Sequence, residues 1–178
     1  AINILEKFRV DQIYINEGHI NYYERAIIKK YNTNILKEKM IINLGNFSFQ
    51  SLNKDLNDEN DSSIILYGVY NAYQMLFMGD ASIKSERELL KNYNLSKINF
   101  LKVGHHGSKT STSEELLKTI KPDIALISAG VDNKFHHPHQ VIIDRLLHYH
   151  IKYYLTSKVG SVEIYFSKNK YRIVSCIS

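Results

Sequence analysis

One aspartate and two histidine clusters in this chain each stand just past a short apolar run. Met75-Leu76-Phe77-Met78 leads through Gly79 to Asp80. The run Asn99 to Val103 leads through Gly104 to His105-His106-Gly107-Ser108. The run Asp123 to Ser128 leads to Asn133 and then to His136-His137-Pro138-His139. Apolar runs of this length, bounded by glycine and polar residues, read as buried strands. Strand, polar loop and helix then alternate, which restricts the fold to an α/β sheet with helices packed on its faces. Acids and imidazoles gathered on strand-end loops are also the donor types that a metal-dependent hydrolase uses.

The remaining pattern fills in around these runs. Residues 2 to 8 read as a short helix end, with Ile4, Leu5 and Phe8 at helical spacing. Val10 to Ile15 reads as a strand, and Tyr22 to Tyr31 as a helix with Tyr23, Ala26, Ile27 and Tyr31 on one face. Lys39 to Leu44, Phe47 to Leu52, Ser63 to Val69 and Ala72 to Met78 read as strands. They are separated by Gly45-Asn46, the polar loop Asn53 to Asp61, and a tight turn near Tyr70-Asn71. Ser85 to Tyr93 is expected as a helix capped by Ser82 or Ser85, with Glu86 and Glu88 in its first turn. Ser113 is a natural N-cap for the next helix. Pro138 to Tyr149 is expected as a helix opened by Pro138, with Val141, Ile142, Leu146 and Leu147 facing inward. Lys152 to Leu155 is a strand. Gly160 to Phe166 and Tyr171 to Ile177 form a closing hairpin. No linker, repeat or low-complexity segment interrupts the 178 residues, so one domain is expected.

Bulk properties exclude several classes. The single cysteine, Cys176, forbids an internal disulfide and a cysteine zinc cage, so metal ligands must be His, Asp or Glu. No run of 18 apolar residues occurs, so nothing reads as a membrane span. The net charge of +5 is compatible with a polyanionic partner, but the basic residues are scattered and any basic face must be assembled by folding.

Each candidate residue also has an ordinary reading. Asp80, taken alone, reads as a turn or helix-cap aspartate, while Gly79 lets the backbone turn so that the carboxylate projects from the sheet end. His105 and His106 are adjacent and cannot point the same way. One can bind metal while the other supports it or serves as acid or base. Gly107 would permit close approach of a substrate. Ser108, Lys109, Thr110 and Ser111 offer hydroxyls, amides and a positive charge at a helix start, which suits phosphate. Asn133, four residues before His137, can orient it or contact phosphate. His19, His148 and His150 carry no convincing role.

Taken in order, Met78-Gly79-Asp80, Leu101-Lys102-Val103-Gly104-His105-His106-Gly107-Ser108-Lys109-Thr110-Ser111, then Ser128-Ala129-Gly130 with Asn133 and His137-Pro138, resemble one family. It is the C-terminal metallo-β-lactamase-like domain of ComEC-type DNA internalisation proteins, the competence channel proteins of naturally transformable bacteria. The resemblance extends through Leu146, Thr156 and Gly160 to Ile164. It implies the C-terminal portion of an αββα sandwich and a divalent metal, zinc or manganese. Water would be activated for attack on a phosphodiester, with DNA as substrate and the rest of a membrane channel as partner. Asp80 and His105 are then the implied metal ligands, His106 and His137 the catalytic histidines, and Ser108, Lys109 and Asn133 the phosphate contacts. Which of His105, His106 and His137 touches metal stays open.

The family's metal motif, His-X-Asp-X-Asp-His, does not occur here. The resemblance puts it just before a segment like Ile4 to Ile15. A fragment lacking the first part of the domain is therefore expected, inactive or nearly so by itself, with two or three ligands remaining. It is expected to be a soluble domain on the extracytoplasmic face of a bacterial plasma membrane, prone to self-association through uncovered apolar surface. The alternatives are a free-standing phosphodiesterase or esterase of the same fold, acting for example on phosphorylcholine, and a non-catalytic module that binds DNA.

Overall fold

The computed structural model describes residues 2–17, 20–52, 63–168 and 170–177. Its first part holds α1 (Ile2–Lys7), β1 (Ile13–Asn16), α2 (Tyr22–Lys30) and β2 (Thr33–Leu36). Strands β1 and β2 pair in parallel with Ile13 opposite Thr33, and α2 forms the crossover between them. A capping box starts α2: the Glu24 N–H donates to Asn21 Oδ1 at 3.0 Å, and the Asn21 N–H donates to Glu24 Oε2 at 2.8 Å. Of the apolar face expected on this helix, only Ile27 is buried, and Tyr23 is 68% exposed. Strand β2 carries no expectation from sequence. Its partner lies across a helix, and four residues with two polar ones give no local signal.

The main sheet has seven strands in the order β3-β4-β5-β6-β7-β8-β9. These are β3 (Ile41–Leu44), β4 (Phe47–Ser51), β5 (Leu66–Tyr70), β6 (Tyr73–Phe77), β7 (Phe100–Lys102), β8 (Ile124–Ile127) and β9 (Lys152–Leu155). The first four form an antiparallel meander, and β6 through β9 are parallel. Parallel neighbours need crossovers, which α3 (Ile83–Asn92), α4 (Glu114–Ile120) and α5 (Gln140–His148) supply. A last turn of helix, α6 (Thr156–Val159), leads to the hairpin β10 (Val162–Ser167) and β11 (Lys170–Ser175). The expected α/β class is thus the observed one. The loop Asn53 to Asp61, like Ala1 and His19, lies outside the described residues.

Strand alternation divides the core. Leu76, Leu101, Ala125 and Ile127 point to the helix side and meet Leu89 of α3, Leu116, Leu117 and Ile120 of α4, and Ile142 and Leu146 of α5. Met75, Phe100 and Ile124 point the other way, where the hairpin covers them. Phe166 lies 5.6 Å from the Phe100 ring and 5.3 Å from that of Tyr73, while Tyr171 lies 4.9 Å from Phe100. On α5 the inward pair is Ile142 and Leu146; Val141 and Leu147 are 39% and 56% exposed, against expectation. Apolar residues surround this helix on most sides, so periodicity cannot choose the buried stripe, and contact with the sheet does.

Candidate strand-end site

Every parallel strand ends at the same edge of the sheet, and the loops that follow β6, β7, β8 and β9 are stitched to one another there. Gly79 turns the chain after β6 with φ +52, and a Cβ there would stand 2.9 Å from the Ile64 carbonyl oxygen. The Gly79 carbonyl accepts from the His105 N–H at 2.9 Å, joining the first loop to the second. The Gly107 carbonyl accepts from the His139 N–H at 2.9 Å, joining the second to the third. The Thr156 hydroxyl donates to the Ala129 carbonyl at 2.9 Å and accepts from the Ala129 N–H at 3.0 Å, joining the third to α6.

His105 and His106 lie in a 3-10 turn, Gly104–Gly107, with φ of 46 and 55. Left-handed backbone at two consecutive non-glycine residues is strained and needs the surrounding loops to hold it. The two rings diverge as expected. The His106 Nδ1 is 2.6 Å from the Ser128 carbonyl oxygen, so it must carry the proton in that bond. Its other nitrogen, Nε2, lies 3.6 Å from Asp80 Oδ1. The His105 ring instead meets that of His137, centroids 5.6 Å apart, and His137 meets His139 at 4.9 Å and Phe135 at 5.7 Å. Burial holds the His137 imidazole below the ordinary histidine value, aided by the neighbouring His139, His105 and His106 and opposed by Asp80. It is therefore neutral at neutral pH and able to accept a proton.

Asn133 braces this histidine. Its Oδ1 accepts from the His137 N–H at 2.9 Å and its Nδ2 donates to the His137 carbonyl at 2.7 Å and to the Gly130 carbonyl at 3.0 Å. The spacing of four residues thus does the orienting that it suggested. Ser108 is buried, and its Oγ is 3.0 Å from that of Thr110. Lys109 is exposed, and its N–H donates to His139 Nδ1 at 3.2 Å.

Three expectations are corrected. The segment Ser108 to Ser111 is not at a helix start: α4 begins at Glu114 behind the N-cap Ser113, with Glu114 and Glu115 in its first turn. Ser111 is buried and donates to the carbonyls of Gly104 and Ser108 at 2.8 and 2.9 Å, bracing the loop from within. Gly107 makes room for Pro138, whose Cβ would stand 2.5 Å from a Cβ at position 107. Pro138 itself does not open α5, which starts at Gln140 with His139 as N-cap. Docking of the 136–139 segment onto Gly107 overrides the preference of proline for a first helical turn.

Two groups in or under the site escaped sequence reasoning. Lys102, the last residue of β7, is half-buried and donates from Nζ to the Val103 carbonyl at 3.0 Å. Burial pulls its ammonium below the ordinary lysine value, against the raising effect of Asp80. Its signal was a lysine inside an otherwise apolar run. Glu86 of α3 is fully buried. Its carboxylate accepts from the N–H groups of Thr112 and Ser113, the latter at 2.8 Å. Arg145 of α5 donates to the carbonyls of Ser111 and Thr112 at 3.3 and 3.1 Å. Together they clamp the loop behind the histidines. Nothing in the helical pattern marks Glu86 as different from its acidic neighbours.

Among the described residues, no three or more His, Cys, Asp or Glu gather at spacing suited to a metal ion. Asp80 and His106 come closest to a shared position, whereas His105 turns toward His137. By themselves these donors do not make a complete zinc or manganese site, which takes at least three protein ligands plus water.

No family model matches the chain. It is 33% identical over 138 residues to ComE operon protein 3 of Bacillus subtilis, covering 76% of this chain and 18% of that protein. It is 37% identical over 115 residues to Recombination protein 2 of Haemophilus influenzae, covering 65% and 14%. It is 32% identical over 107 residues to competence protein ComA of Neisseria gonorrhoeae, covering 60% and 16%. The chain thus spans less than a fifth of the length of these relatives. Among solved structures it is similar to a putative zinc-dependent hydrolase of the metallo-β-lactamase superfamily from Thermotoga maritima. The TM-score is 0.37 at 10% identity, over 68% of this chain and 62% of that one. In sequence, then, the chain is a homologue of one segment of the ComEC-type competence proteins.

Proposed function

We propose that this chain is part of a nuclease-like hydrolase domain of a DNA-uptake protein, acting on the phosphodiester backbone. The supporting observation is that Asp80, His106 and His137, from three separate loops, meet at one sheet edge with His106 Nε2 directed at Asp80 across 3.6 Å. His106, oriented by its bond to Ser128, and neutral His137 are the proton-handling groups. One carboxylate stands among four imidazoles and the Lys102 ammonium, and the N–H donors of these groups suit an anionic substrate. A divalent ion, zinc or manganese, would sit at Asp80 only with ligands added from outside the described residues. It would supply polarisation of the phosphate and an activated water. This chain alone is then inactive or nearly so.

In the same reading the domain belongs to a larger channel protein, on the extracytoplasmic face of the plasma membrane, with DNA and the rest of that channel as partners. No helix among the described residues is long and apolar enough to cross a membrane. The edge strand β3, with Ile41 and Leu44 exposed, offers a surface for self-association.

The test is bound metal by elemental analysis, with and without chelator, beside a single-stranded DNA cleavage assay. The chain alone should show neither stoichiometric metal nor cleavage. In a longer domain that cleaves DNA, Asp80→Ala should lower the rate about a hundredfold or more. Normal cleavage by that variant sinks the assignment of Asp80. Salt-sensitive DNA binding that survives chelation, with no cleavage by the longer domain, would favour a binding module instead.

A further inference from the structure

We propose that Lys102 is the cation of the strand-end site that receives the anionic oxygen of a phosphodiester. The inference names the substrate-binding group of the site described above and takes its substrate class from that reading.

The placement comes from strand geometry. Leu101 and Val103 are fully buried on the helix side, so Phe100 and Lys102 both face the opposite side of the sheet. Phe100, at the start of β7, is covered by Phe166 and Tyr171 of the hairpin. Lys102 is at the other end of the strand, where the site loops begin. Its register partners are Phe77 on β6 and Leu126 on β8, both half-buried and apolar. The four-carbon stem therefore lies between two apolar neighbours and brings the ammonium to the sheet edge, one loop away from Asp80 and His106.

A lysine in such a position is unusual unless its charge is used. An ammonium has three donors, and among the described residues the Val103 carbonyl is the only hydrogen-bond acceptor of Lys102. Asp80 acts on it electrostatically, but the Asp80 carboxylate is also the one that faces His106. Among the described residues Lys102 has no ion-pair partner in contact, so its ammonium is free to meet another negative group. Partial burial supports this: a poorly hydrated ammonium gains more from an anionic partner than the exposed Lys109 does. The competing explanation is that Lys102 only balances the charge of Asp80.

The two are separated by binding without catalysis, in chelator. All lysines of the chain are reductively methylated with isotope-labelled formaldehyde, and the Lys102 signal is assigned by its loss in Lys102→Arg. Dithymidine monophosphate, inorganic phosphate and a fluorescent oligothymidylate are then titrated. The Lys102 methyl signal should move with the dinucleotide, and Lys102→Met should weaken oligothymidylate binding about tenfold or more while Lys102→Arg keeps most of it. A signal that moves with inorganic phosphate but not with the dinucleotide, a signal that moves with neither, or unchanged affinity in Lys102→Met overturns the proposal. If Lys102→Met does not fold, the labelled native chain decides alone. Cleavage by the longer domain that ignores Lys102→Met would remove this inference and leave the hydrolase reading standing. Lys102-dependent binding with no cleavage under any metal would do the reverse.

Discussion

The two halves of the main sheet are built from similar strands and carry very different chemistry. In the meander β3 to β6, successive strands end at opposite edges, and the turns at Gly45-Asn46 and Asn71-Ala72 hold no site residues. In the parallel half, β6 to β9 all end at one edge, so four loops far apart in sequence meet. That difference follows from connection geometry: hairpins return the chain beside itself, whereas crossovers return it to the start of the next strand. Strand β6 belongs to both halves, and Asp80 lies just past its end. Imidazoles carried on single loops can therefore face a carboxylate without any one loop holding a complete site.

The largest effect that would sharpen this comparison is in the parallel core. Leu101→Ala, at a fully buried position between β6 and β8, should cost about 2–5 kcal/mol in urea unfolding. Leu44→Ala, on the edge of the meander and 61% exposed, should stay within about 0.5 kcal/mol. Equal losses would mean that both halves depend on the same core.

A smaller effect is expected at the clamp. Glu86→Gln keeps the shape but replaces one acceptor oxygen by an amide, leaving a buried N–H of Thr112 or Ser113 without a partner. The cost should be about 1–3 kcal/mol, with faster amide exchange concentrated at those two residues. Uniform exchange across the sheet would show that the loop is held by something else.

The smallest effect concerns pH. The unfolded chain protonates His137 near the ordinary value of about 6.5, while the folded chain resists until a lower pH. This contribution is fully present above the ordinary value. It is lost as pH falls from there to the lower folded value, because the unfolded state then binds more protons. Melting temperature against pH should decline less across that window in His137→Gln than in the native chain. Parallel curves would place the sensitive group elsewhere.

Much of the site was legible because its signals are local. Glycine after an apolar run marks where a strand ends, and the distance from Asn133 to His137 matches a side chain closing on a backbone. The unbroken apolar runs Met75 to Phe77 and Ile124 to Ile127 also mark strands buried on both faces without any knowledge of partners. The rest depended on pairing. Strand β2 exists because β1 lies beside it, and α5 starts late because Pro138 sits on Gly107.

By itself, then, the sequence determined the α/β class, most strand positions and the three clusters, since backbone preference and hydrophobic period act within a few residues. Only the tertiary structure decided that His106 rather than His105 faces Asp80, that Lys102 stands at the site edge and that Glu86 is a buried brace. Those outcomes rest on which loops the parallel crossovers bring together, and contacts between residues dozens of positions apart leave no periodic trace in the chain.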